Sequence, residues 1–163
     1  MFKILGILFV SVFGTLLHFV YQWSGSNPVV ALIAPVDESV FQHLKLLFTP
    51  FVLWAFIEAG RSGHLAKNFI PVKAYSVLAG MLVMVFVFYF YTFLAGRNFL
   101  WADISLFFLS VFTAFGVEKL LENQPWTGTL CSVVSGNLLM TVMAASMVFF
   151  TFWPPKLGLF VSP

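Results

Sequence analysis

Long apolar runs, separated by short polar breaks, set the pattern of this chain. Five of the runs reach about 20 residues, the length of helix that crosses the hydrocarbon core of a bilayer. We therefore predict an all-α integral membrane protein, a bundle of five transmembrane helices in a single domain that covers residues 1–163. The predicted spans are about 2–23, 38–59, 75–94, 100–121 and 129–153.

A shorter apolar stretch, residues 29–34, follows the first span and ends at Pro35. It is too short to cross a bilayer. Irregular backbone is tolerated at membrane depth only where protein or water satisfies its polar groups. We therefore expect a short interfacial or re-entrant segment between the first and second helices.

The composition excludes several classes of protein. Apolar residues make up 61% of the chain and charged residues 9%, whereas soluble domains carry about 25% charged residues. The lipid bilayer is therefore the expected partner, and the net charge of +2 is too small to predict binding to nucleic acid. Cys131 is the single cysteine, which excludes a disulfide framework or a cysteine-based metal site.

The basic residues near the span ends predict the orientation, because cytoplasmic loops carry an excess of Lys and Arg. We predict a multi-pass protein of the bacterial cytoplasmic membrane, with a cytoplasmic N-terminus and an external C-terminus. This orientation places Lys3, Arg61, Lys67, Lys73 and Lys119 inside, and Lys45, Arg97 and Lys156 outside.

Polar residues from distant parts of the chain are predicted to meet at the outer end of the bundle. The spans alternate in direction, so the end of one span and the start of the next lie at the same depth. An ionisable side chain within a membrane costs several kcal/mol unless it is paired, so such residues suggest function. The candidate binding residues are His18, Glu38, Ser39, Gln42, His43, Lys45 and Asp103.

On a regular second helix, these candidate residues would not all point in the same direction. Glu38 and Lys45 share one face of a regular helix, whereas His43 lies about 140° round from Glu38. The two can face one centre only if the first turn after Pro35 is distorted. The same residues also have purely structural interpretations. Asp37 can cap the helix, Glu38 and Lys45 can form an ion pair, and Ser39 and Gln42 can form a capping box. At the inner end, Glu118, Lys119 and Glu122 are expected to form a solvated helix end.

Two stretches carry a resemblance to a known family. Residues 14–25 read G-T-L-L-H-F-V-Y-Q-W-S-G, and residues 35–45 read P-V-D-E-S-V-F-Q-H-L-K. They resemble an uncharacterised family of small bacterial multi-pass membrane proteins, which has a histidine-aromatic end to its first helix and begins its second with P-V-N-E-S-x-W-E-H-x-K. The likeness covers the whole chain and implies a membrane fold, but it implies no activity.

The chain departs from the family pattern at three positions. Asp37 stands where Asn is usual, Phe41 where Trp is usual, and Gln42 where Glu is usual. The change at Gln42 removes a carboxylate, which weakens any role of that position as a metal ligand or base. The amide can still form hydrogen bonds.

The first functional hypothesis is binding or transport of a small solute, an ion or a lipid head in the outer pocket. Glu38, Lys45 and Asp103 would supply charge, and His18 and His43 would respond to pH. The chain has no G-x-x-x-x-G-K-[ST] loop, so energy from nucleotide would come from a partner ATPase or another partner membrane protein.

Two alternative functions remain open. One of them is enzymatic, so the sequence does not decide whether the protein is an enzyme. One is a membrane-embedded hydrolase for an interfacial substrate, in which His18, His43 and Asp103 bind Zn²⁺ and Glu38 acts as the general base. No H-E-x-x-H signature supports it. The other is a structural or regulatory membrane subunit in which the cluster is an interhelical polar lock.

Overall fold

The structure is a computed structural model that describes residues 2–62 and 66–161. Five α-helices dominate it, and all five are long and apolar enough to cross a membrane. The predicted five-helix membrane fold is therefore confirmed; residues 63–65 of the predicted basic loop lie outside the described residues. The helices are α1 (Phe2–Trp23), α2 (Val40–Ser62), α3 (Phe69–Ala95), α4 (Leu100–Leu121) and α5 (Leu130–Phe152).

Local hydrogen bonds explain why α2 begins at Val40 and not at residue 38. The Asp37 Oδ1 accepts the backbone N–H of Ser39 at 2.8 Å. The Ser39 Oγ accepts the N–H of Gln42 at 3.3 Å. Short polar side chains of this kind satisfy the free N–H groups at the start of a helix. The segment up to Ser39 is therefore a capped turn, and Glu38 lies outside the helix.

Helix α3 begins at Phe69, earlier than the predicted start near residue 75, and includes Lys73. Pro71 is compatible with this start because the first turn of a helix needs no N–H at that position. The helix ends at Ala95 and is capped by Gly96, whose φ of 71° is the left-handed conformation that glycine adopts readily.

The stretch between α1 and α2 contains a 3₁₀ turn, Val30–Leu32. Ala31 and Ala34 are buried against the bundle, and the Thr49 Oγ1 of α2 donates to the Ile33 carbonyl at 2.9 Å. The segment therefore folds onto the start of α2, where protein side chains satisfy part of its backbone.

Helix α1 packs closely on α2 at Gly14. A Cβ atom there would collide with the carbonyl oxygen of Leu46 and with the ring of Phe107. Pro50 lies within α2 and has no N–H, so the Leu46 carbonyl lacks its usual helical donor. The bare Cα of Gly14 therefore lies against a carbonyl that its own helix leaves free.

One end of the bundle holds an ion-pair network that we call the lysine cluster. Lys73 Nζ lies 2.9 Å from Glu118 Oε1 and also pairs with Glu58. Lys3 pairs with both Glu118 and Glu122. The expected solvated end of α4 is wrong for Glu118, which is 1% exposed, because ammonium groups of α1 and α3 neutralise it there. The cluster consists of Lys3, Glu58, Lys73, Glu118 and Glu122.

Candidate metal site

Two helices and the turn that leads into the second bring three side chains together at the opposite end of the bundle. His18 lies near the end of α1, Glu38 lies in the capped turn before α2, and His43 lies in the first turn of α2. One ligand-type atom from each lies within 4.8 Å of the other two. We call these three residues the histidine cluster, and we call this end of the bundle the histidine end.

The Glu38 carboxylate stands between the two imidazole rings. Its Oε2 lies 3.4 Å from His43 Nε2, and its Oε1 lies 3.7 Å from His18 Nε2. Both distances exceed the 2.7–3.2 Å of an ordinary N–H···O hydrogen bond. Three potential ligands thus point toward one another without closing a direct hydrogen bond.

The backbone determines which nitrogen of His43 carries a proton. The Ser39 carbonyl oxygen lies 2.9 Å from His43 Nδ1 and also accepts the backbone N–H of His43 at 3.1 Å. A carbonyl oxygen has no proton to give, so Nδ1 must be the donor. In the neutral ring Nε2 then carries a lone pair, and this lone pair faces the Glu38 carboxylate.

The capped turn resolves the problem of helical phase. Glu38 precedes Val40, the first residue of α2, so the angular spacing of a regular helix does not apply to it. A shared centre for Glu38 and His43 requires a distortion after Pro35, and the structure contains it. It allows Glu38 and His43 to face the same point.

Lys45 does not form the expected ion pair with Glu38. Its Nζ donates to the carbonyl oxygens of Ala31 at 2.7 Å and Ala34 at 3.2 Å, and the side chain is fully buried. In the described parts of the chain no carboxylate lies within 4.0 Å of this ammonium. Because Glu38 lies outside the helix, the two residues do not share a helical face.

Asp103 lies apart from the histidine cluster. It accepts a hydrogen bond from the Tyr91 hydroxyl, which joins the end of α3 to the start of α4. Of the predicted ligands His18, His43 and Asp103, the two histidines belong to the group whose ligand-type atoms come together, and the carboxylate in that group is Glu38. The sequence could not distinguish the two carboxylates, because both were predicted at the same depth.

The remaining candidates, Ser39 and Gln42, serve the start of the helix. Both are buried, and they form one half of the predicted capping box through the bond from the Gln42 N–H to the Ser39 Oγ. The Ser39 carbonyl also orients His43. These residues therefore support the cluster without facing it.

The histidine cluster is open to its surroundings. The Glu38 side chain is 62% exposed, and those of His18 and His43 are 33% and 28% exposed. A pocket of about 20 Å³ adjoins the cluster. Exposed tryptophans, typical of a membrane–water interface, surround the same end at Trp23, Trp101 and Trp153. The pocket is lined by His18, Tyr21, Gln22, Pro35, Val36, Asp37 and Glu38.

Comparison with known proteins gives a family but no activity. No curated protein and no solved structure matches the chain. A family model matches residues 1–162, which confirms the resemblance to an uncharacterised family; the bacterial source stays an expectation. The chain therefore belongs to the family of unknown function DUF6512.

Proposed function

We propose that the protein binds a divalent transition-metal ion, represented by Zn²⁺, through His18, Glu38 and His43 at the histidine end. One observation carries the proposal. The proton on His43 Nδ1 is committed to the Ser39 carbonyl, so the lone pair of Nε2 faces a carboxylate oxygen at 3.4 Å. Two lone pairs that face each other repel unless a proton or a metal ion lies between them, and we propose that the metal ion supplies that charge.

The distances fit such an ion. Zinc lies about 2.0–2.1 Å from imidazole nitrogen and carboxylate oxygen, so two ligands of a tetrahedral site are about 3.3–3.4 Å apart. Glu38 Oε2 lies 3.4 Å from His43 Nε2, and Glu38 Oε1 lies 3.7 Å from His18 Nε2. One ligand atom from each of the three residues lies within 4.8 Å of the other two, so a small inward movement would bring the three atoms to that spacing. Metal-binding histidines usually donate their other ring N–H to a carboxylate or a backbone carbonyl, and His43 Nδ1 does so to the Ser39 carbonyl.

The donor set favours a transition metal over Mg²⁺ or Ca²⁺. Two of its three donors are imidazole nitrogens, which suit Zn²⁺, Cu²⁺, Fe²⁺ and Ni²⁺. Mg²⁺ and Ca²⁺ select oxygen ligands. The ions to test first are therefore Zn²⁺ and its spectroscopic substitute Co²⁺.

Among the predicted ligand classes, the size of the pocket favours an ion over an organic solute or a lipid head. About 20 Å³ holds roughly one water molecule. The exposure of Glu38 also argues against a buried polar lock at this end. Whether the ion is only held or is also moved across the membrane depends on a partner ATPase or another energy source, as predicted from the absent nucleotide loop.

The test is metal binding by the purified full-length protein in detergent. We expect one Zn²⁺ per chain, with the affinity lowered by more than about 100-fold in His18→Ala, His43→Ala and Glu38→Gln, since each change removes one of three ligands. Unfolding of the metal-free variants should match the wild type within about 1 kcal/mol, because Glu38 is exposed and the two histidines are only half-buried. A wild-type protein without stoichiometric binding would overturn the proposal.

Hydrolysis by the same metal is the second candidate. Three protein ligands leave one position open, as in catalytic zinc sites, and the adjoining pocket has room for a water molecule. Glu38 would then be a ligand, and Asp37, which borders the pocket, would be the base. Zinc-loaded protein in phospholipid vesicles should release fatty acid or headgroup, and Asp37→Asn should abolish release but keep the metal. Equal release by the two proteins would exclude this role of Asp37.

A further inference from the structure

The buried ammonium of Lys45 donates hydrogen bonds to the backbone that connects α1 and α2. Its side chain is 0% exposed, and its hydrogen bonds go to the carbonyl oxygens of Ala31 and Ala34. An ammonium is costly to bury unless it is hydrogen-bonded or paired. These two carbonyls therefore compensate the burial of the Lys45 ammonium.

The carbonyls belong to the 3₁₀ turn and the residues that follow it. The N–H groups of Ile33 and Ala34 both bond to the Val30 carbonyl, whereas the carbonyls of Ala31 and Ala34 accept hydrogen bonds from the ammonium. Thr49, one helical turn beyond Lys45 on α2, holds the Ile33 carbonyl at 2.9 Å. Two side chains of α2 thus fasten this segment.

The fastened segment leads directly to Glu38. Only three residues separate Ala34 from Glu38, and the first, Pro35, has a fixed φ. The bond from the Ser39 N–H to Asp37 Oδ1 restricts the turn further. The location of the Glu38 carboxylate therefore depends on where Ala34 is held.

The same turn of α2 carries His43, two residues before Lys45. One helical turn thus supplies one member of the histidine cluster and holds the backbone that presents another. We propose that Lys45 is a positioning residue that fixes Glu38 opposite His43 for metal binding. This inference rests on the metal-binding function proposed above, and it assigns Lys45 no contact with the ion.

The experiment compares Lys45→Met with the wild type in the purified full-length protein. Methionine keeps an unbranched side chain but removes the three donors. We expect the Zn²⁺ affinity to fall about 10-fold, the lower end of the effect seen when a group hydrogen-bonded to a metal ligand is removed, because Lys45 acts on Glu38 only through the backbone. The visible spectrum of bound Co²⁺ should change, and amide hydrogen exchange across residues 31–38 should accelerate. Thr49→Val is the milder variant and should change all three measurements in the same direction.

The possible results distinguish the positioning role of Lys45 from the metal site itself. If the wild type binds Zn²⁺ and Lys45→Met binds it equally well, the role of Lys45 is overturned and the metal site stands. A lower melting temperature with an unaltered Co²⁺ spectrum overturns it too, because a purely structural lysine would give that result. If Lys45→Met does not fold, unchanged affinity and exchange in Thr49→Val overturn the inference. A wild type that binds no Zn²⁺ overturns the metal function and the inference together.

Discussion

At the lysine cluster, the buried carboxylate of Glu118 faces two ammonium groups, whereas at the histidine cluster one exposed carboxylate faces two imidazole rings. Glu118 is 1% exposed and lies between Lys3 and Lys73. Glu38 is 62% exposed, and its nearest ionisable partners are His18 and His43. The first arrangement supplies its own counter-charge. The second depends on a proton or a metal ion from outside the chain.

This difference predicts a structural role for the lysine cluster and a ligand-binding role for the histidine cluster. A buried pair that loses one member leaves an uncompensated charge, which is strongly destabilising. An exposed group that loses a partner is solvated by water at little cost. Mutations at the lysine cluster should therefore change stability, and mutations at the histidine cluster should change ligand affinity.

The largest expected effect is that of Lys73→Met. The change leaves Glu58 and Glu118 without the ammonium that joins them. We expect a loss of about 3–5 kcal/mol in the free energy of unfolding, measured by denaturation in detergent. The Zn²⁺ affinity of the folded fraction should not change.

Lys67→Met is the matched control, because Lys67 is exposed. Its unfolding should stay within about 0.5 kcal/mol of the wild type. If Lys73→Met were as stable as this control, the lysine cluster would not hold its end of the bundle together. The contrast between the two ends would then have no energetic basis.

A smaller effect, confined to the histidine cluster, is the pH dependence of Zn²⁺ binding. Each imidazole must bind the metal through a deprotonated nitrogen, so protons compete with the ion. In the acidic range the affinity should fall by up to about 100-fold per pH unit, since two imidazoles each take up one proton. The measurement is a Zn²⁺ titration against a competing chelator at several pH values. A limiting slope of one proton would mean that only one of the two histidines binds the ion.

The smallest effect should come from Asp103→Asn. Asparagine keeps an oxygen that can accept the Tyr91 hydroxyl, so stability should change by about 1 kcal/mol or less. The Zn²⁺ affinity should stay within about twofold of the wild type, because Glu38 is the carboxylate of the cluster. A loss of 100-fold would instead restore Asp103 to the ligand set that the sequence predicted.

The sequence predicted the helices well, because each span is a long apolar run and nothing but a membrane helix accommodates it. It also placed His18, Glu38 and His43 at one end, since alternating spans bring their ends together. It could not show that Glu38 lies outside α2. That depends on the hydrogen bond from the Ser39 N–H to Asp37 Oδ1.

The lysine cluster was missed for a different reason. Glu118 lies close to the end of α4, where a charged residue is normally solvated. Its burial depends on Lys3 and Lys73, which are 115 and 45 residues away along the chain. No pattern within one helix predicts which neighbour lies across from it. Partners of this kind are visible only in three dimensions.

The close approach of the helices at Gly14 would influence which ions the histidine cluster accepts. It lies one turn before His18 on the same face of α1, where its bare Cα rests against the Leu46 carbonyl of α2. A larger residue would push α1 away from α2 and increase the gap between His18 and Glu38. The selectivity for ionic radius would therefore be set by a residue that never touches the ion. Gly14→Ala should shift the preference from Zn²⁺ toward the larger Cd²⁺.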